Sequence, residues 1–93
     1  MIFKSGTCRA FVNQEVDEDT EECFLNLHSI QSDSPGAGDG SVVLKEIIKY
    51  ANYMSLDIKC HPWALNGEHD RLKEWYIRNG FLDMGDWFVY YHI

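Results

Sequence analysis

The segment Gln31 to Gly40, Gln-Ser-Asp-Ser-Pro-Gly-Ala-Gly-Asp-Gly, constrains the fold more than any other stretch of the chain. Three glycines and a proline in ten residues cannot hold regular structure. The segments on its two sides read clearly, and they repeat with different periods. Before it, Cys23 to Ile30 alternates as a strand, with Leu25 and Leu27 facing one way and Asn26 and His28 the other. After it, residues 41–54 repeat at helical spacing: Val43, Leu44, Ile47, Ile48, Ala51 and Met54 share one face. Lys45, Glu46, Lys49 and Asn52 lie largely elsewhere, and Ser41 is placed to act as the N-cap. A strand, a glycine loop and an amphipathic helix in this order point to an α/β chain.

The remaining segments fit that reading. Leu56 to Cys60 alternates and predicts a strand ended by Pro62. Trp63 to Glu68 reads as a loop, and His69 to Asn79 as a second helix burying Leu72, Trp75 and Tyr76. Gly80 stands where a left-handed C-terminal cap is expected. Asp86 to Ile93 predicts an aromatic strand with one core face and one exposed face, and the exposed face would suit a homodimer interface. Residues 1–22 read poorly, with short strands at Ile2-Phe3 and at Arg9 to Val12. The expectation is one α/β (α+β) domain over residues 1–93, a mixed, mostly antiparallel sheet of five or six strands carrying two main helices.

Charge narrows the partners. The formal net charge is -7, and six acids fall in the eight residues Glu15 to Glu22. Nonspecific nucleic-acid binding needs Lys and Arg on phosphates, so this balance argues against it. The run reads either as a solvated turn or as a surface for a basic protein partner or an amine. The three cysteines, Cys8, Cys23 and Cys60, are odd in number and irregularly spaced, which does not suggest a disulfide framework. Cys60-His61 with Cys8, Cys23 or His69 fits no zinc-ligand spacing, so no metal is expected. No stretch reaches the length of a transmembrane helix, and the N-terminus lacks the apolar core of a signal peptide. A reducing, cytoplasmic location is the default.

The glycine loop is the first candidate for chemistry. A helix N-terminus offers unpaired N–H groups and a positive dipole end, and glycines let an anion approach them. Gly36, Gly38, Gly40 and Ser41 stand in that position. The loop matches neither the Walker A pattern nor the Rossmann fingerprint, so a phosphate site and a plain connector both remain open.

Three pieces together resemble the GNAT superfamily of N-acetyltransferases. Gly38-Asp-Gly-Ser-Val-Val-Leu44 is similar to that family's pyrophosphate loop and the helix it opens. The strand Leu56 to Cys60 follows. Leu72-Lys-Glu-Trp-Tyr76-Ile-Arg-Asn-Gly80-Phe81 is close to its second signature, a Tyr followed after three residues by Gly-Phe. The resemblance covers residues 23–93 and implies an acetyl-coenzyme A-dependent transfer of acetyl to an amine. It implies a bulged strand at residues 23–31 that splays from the strand at 56–60, with the pantetheine arm between them beside Ile30. It implies pyrophosphate binding by Gly36, Gly38, Asp39, Gly40 and Ser41, and a place for Asn66 near the cofactor arm. Tyr76 matches the tyrosine that protonates the departing thiolate, a role suited to a weak acid. His28, Glu22 and Asp33 are the candidate general bases, since they lie on or beside the strand next to the thioester. Two departures stand out. Pro35 replaces the family's usual Arg or Gln, and residues 1–22 leave no room for the usual pair of N-terminal helices. In this the chain resembles short phage-like or bacterial members. The alternative reading is a catalytically inactive interaction module on the same fold.

Overall fold

A computed structural model describes residues 1–32, 38–61 and 69–93. The chain begins with an antiparallel meander of β1 (Ile2–Ser5), β2 (Cys8–Val16) and β3 (Cys23–Ser32). Helix α1 (Asp39–Met54) leads to β4 (Asp57–Cys60), and helix α2 (His69–Arg78) leads to β5 (Leu82–Asp83) and β6 (Phe88–Tyr90). The six strands form one sheet in the order β1-β2-β3-β4-β6-β5. β3 and β4 are parallel and every other pair is antiparallel. The expected mixed, mostly antiparallel sheet with two helices is therefore the fold.

The register shows which face is the core. Val12 pairs with Leu27, Leu27 with Cys60 and Cys60 with Phe88, so these four share one face across the sheet. That row joins Val43, Leu44, Ile47 and Ala51 of α1 and Tyr76 of α2 in a single buried cluster. Both helices thus cover the same face. The other face carries Arg9, Phe11, Asn13, Asn26, His28 and Lys59, and no described helix covers it.

Both helices stop in the same way. At the end of α2, Phe81 N–H donates to the Tyr76 carbonyl at 3.1 Å and Gly80 N–H to that of Ile77 at 3.1 Å. This is a Schellman motif, and its characteristic apolar contact is made by the Phe81 and Tyr76 rings, 5.1 Å apart. Gly80 has φ 94, and a Cβ there would meet the Tyr90 ring at 3.4 Å. At the end of α1, Leu56 N–H bonds Ala51 at 2.8 Å and Ser55 N–H bonds Asn52 at 3.3 Å. There the left-handed residue is Ser55, with φ 56.

Several sequence expectations need correction. The N-cap of α1 is Gly38, not Ser41. Ser41 is already the third helical residue, and its Oγ accepts the Trp75 indole N–H at 3.3 Å. Met54 lies in the last turn and is exposed, so it leaves the apolar face of α1. The aromatic strand is shorter than Asp86–Ile93. β6 lies between β4 and β5, so both its edges are paired and all three of its residues are buried. Exposure falls instead on the flanking Trp87 and Tyr91. The acidic run divides, with Glu15 and Val16 ending β2 and the turn starting at Asp17. There the Asp17 carboxylate accepts N–H bonds from Asp19 at 2.8 Å and Thr20 at 3.3 Å, and it pairs with Lys59 at 3.2 Å. Those backbone bonds first, and Lys59 second, hold its carboxyl below the usual range.

Candidate functional site

The site follows from one irregularity in β3. Leu27 lies opposite Val12, but the next pair along is Ser29 with Phe11, so β3 carries one additional residue, His28. This is a β-bulge. Its effect is to change the phase of the strand. In a regular strand Ser29 would share a face with Leu25 and Leu27. After the bulge it is Ile30, three residues past Leu27, that packs against the core cluster.

Beyond the bulge β3 also loses its neighbour. β4 ends at Cys60, opposite Leu27, whereas β3 runs on to Ser32. The two parallel strands therefore form a fork at their carboxyl ends, the place where open α/β sheets commonly take ligands. A cavity of about 250 Å³ fills the fork. Five consecutive β3 residues, Leu27 to Gln31, line one side, and His61, Leu72 and Tyr76 line the other.

Tyr76 is the best-held polar group there. It is 3% exposed. Its ring lies 5.1 Å from Trp75, 5.1 Å from Phe81 and 6.2 Å from Phe88. The Cys60 thiol lies within electrostatic reach of its hydroxyl. Burial pushes the phenol well above its ordinary range and the Cys60 thiol up to about 12, so both keep their protons at neutral pH. Cys60 is thus no nucleophile.

Two histidines flank the cavity. The His28 Nε2 receives the Asn13 Nδ2 at 3.0 Å and has the Glu15 carboxylate at 3.4 Å. Asn26 in turn donates to Glu15 at 2.7 Å. His61 extends the end of β4. Its Nδ1 lies 2.8 Å from the Asp86 carbonyl oxygen, and its ring stacks 3.7 Å from that of Trp87.

The other candidates fall in different places. Ile30 lines the cavity. Gly38 and Asp39 begin α1, where no side chain caps the helix. A Cβ on Gly38 would meet nothing within 4 Å, whereas one on Gly40 would meet the Trp75 ring at 3.7 Å. The Ser41 hydroxyl is engaged by Trp75. Glu22 precedes the far end of β3, five residues and about 16 Å along the strand from Leu27, so it does not reach the fork. Asp33, Gly36 and Asn66, with Pro35 and Pro62, lie outside the described residues. Among the described residues no three His, Cys, Asp or Glu side chains come together to hold a metal, and no helix is long and apolar enough to cross a membrane.

His61 and Trp75 escaped sequence reasoning as site residues. The usable signal for His61 was its position, directly after a strand parallel and adjacent to the one that enters the glycine loop. The usable signal for the bulge was the spacing of Leu25, Leu27 and Ile30, two and then three. In comparisons with known proteins, no family model matched the chain, and no curated protein or solved structure gave a significant match. The Tyr76–Gly80–Phe81 spacing has a local cause of its own, since it is the spacing of the helix stop that seats Tyr76 at the cavity.

Proposed function

We propose that this chain is an acetyl-coenzyme A-dependent N-acetyltransferase that passes acetyl directly to an amine, a minimal relative of the GNAT superfamily. The observation that carries the reading is the fork, in which a bulged β3 leaves its parallel neighbour β4 at a cavity lined by Tyr76. The residues present suit the donor. Past Leu27, β3 has no ladder partner on its β4 side among the described residues, so its backbone can take the amides of a pantetheine arm. The uncapped start of α1 at Gly38 suits a pyrophosphate. When bound, acetyl-coenzyme A supplies the thioester to be cleaved. The protein supplies alignment of the amine with it, and a phenol that holds its proton until a thiolate needs it.

Calorimetric titration with acetyl-coenzyme A and with free coenzyme A tests the reading. Micromolar binding is expected, followed by thiol release when an amine is added. Binding of neither compound would sink it. The interaction-module reading is favoured by one observation, four exposed acids (Glu18, Asp19, Glu21 and Glu22) on the turn after β2. Its expected result is capture of a cationic peptide that is lost when those four are neutralised.

A further inference from the structure

We infer that His61 accepts the proton of the amine that enters the fork. The inference rests on the acetyltransferase reading and adds to it the residue that frees the nucleophile. At neutral pH an aliphatic amine arrives as an ammonium ion and cannot attack. One N–H bond must break, its proton must bond to a base, and the positive charge must pass to that base. The nitrogen lone pair so released is what attacks the thioester carbonyl.

The neighbours of the two cavity histidines assign both rings the Nδ1–H tautomer but engage opposite nitrogens, so the nitrogen left free differs. The carbonyl of Asp86 can only accept, so His61 Nδ1 carries the hydrogen in their 2.8 Å bond. The lone pair of the neutral ring then sits on Nε2, which no described residue engages. At His28 the other nitrogen is engaged. The Asn13 amide nitrogen can only donate, and at 3.0 Å it occupies the Nε2 lone pair, leaving the hydrogen on Nδ1. Glu15 is farther, at 3.4 Å, and Asn26 already donates to it. His28 presents a donor and His61 presents an acceptor.

The surroundings also fix the His61 ring in place. The Asp86 carbonyl holds the ring by Nδ1, and the Trp87 ring lies against it with centroids 3.7 Å apart. His61 is exposed at the cavity mouth, so the captured proton passes to solvent. Tyr76, on the same side of the cavity, retains its own proton for the other half of the reaction. Asp86 and Trp87 are positioning residues in this scheme.

The test separates a base from a strap. His61→Asn keeps an amide nitrogen where Nδ1 stands, so the bond to Asp86 survives while the proton acceptor is lost. Acetyl-coenzyme A affinity is expected to stay unchanged, and kcat/KM for the amine to fall by about 100-fold or more. In the free wild-type protein, nitrogen NMR of the ring is expected to report the Nδ1–H tautomer. A His61→Asn enzyme as active as wild type overturns the inference and leaves the acetyltransferase reading standing, as does an Nε2–H tautomer. A wild-type protein that neither binds acetyl-coenzyme A nor turns over removes both.

Discussion

The two halves of β3 behave as different materials. From Phe24 to Leu27 the strand is paired on both edges, with β2 on one side and β4 on the other. Leu25 and Ile58 face each other there and are fully buried. From His28 to Ser32 the strand keeps, among the described residues, only β2, carries the bulge, and borders a cavity. The same ten residues thus serve as core in one half and as a binding edge in the other. Phe24 to Leu27 contributes stability, and the residues after the bulge give some up to keep a groove open.

The largest break in this comparison comes from the core half. Ile58→Ala removes a fully buried side chain and is expected to cost roughly 2–5 kcal/mol in denaturant unfolding. Ile30→Ala, half-buried in the fork, is expected to cost about 1 kcal/mol. Equal costs would show that the fork is packed as tightly as the core. Tyr76→Phe sharpens the comparison on the chemical side. It is expected to slow turnover by about 100-fold, ~2.7 kcal/mol of barrier, with acetyl-coenzyme A binding kept. Stability should drop by no more than about 1 kcal/mol, the worth of one polar contact of the hydroxyl.

The helix ends give the next pair. Gly80→Ala forces a side chain into φ 94 against Tyr90 and is expected to cost about 1–2 kcal/mol in thermal unfolding. Ser55→Gly relieves the same conformation at φ 56 and is expected to stabilise by roughly 0.5–1 kcal/mol. The smallest effect belongs to Asp17. Its folded-state carboxyl titrates below the ordinary value of 3.8, so its contribution is present above that pH and is lost as pH falls through the lower folded value. Asp17→Asn is expected to flatten slightly the acid limb of a stability–pH curve measured below pH 4.

Local pattern made the helices, β3 and β4 legible, because each buries one face at a regular period. The left-handed residue at Gly80 was legible for the same local reason. What escaped depended on distant partners. β5 has only two residues and exists because β6 lies beside it. The N-cap of α1 is Gly38 rather than Ser41, whose hydroxyl is instead engaged by Trp75, 34 residues on. Tyr76 was legible from a motif, whereas His61 acquires its orientation from Asp86 and Trp87, some 25 residues downstream. A lone histidine after a strand says nothing about a carbonyl that the fold will later bring to it.

The parallel pairing of β3 with β4 also has a consequence for how the chain assembles. β1 and β2 are joined by the two residues Gly6-Thr7, so their ladder closes across a short loop. Phe24 and Asp57 are paired across 57 − 24 = 33 positions, with α1 between them. Distant ends meet more slowly than near ones. The meander is therefore expected to form first, and the fork to appear only when β4 docks. In a pulsed hydrogen-exchange experiment, the amides of β2 should gain protection before those of β4. On that expectation the groove that would receive the ligand is completed only once β4 has docked.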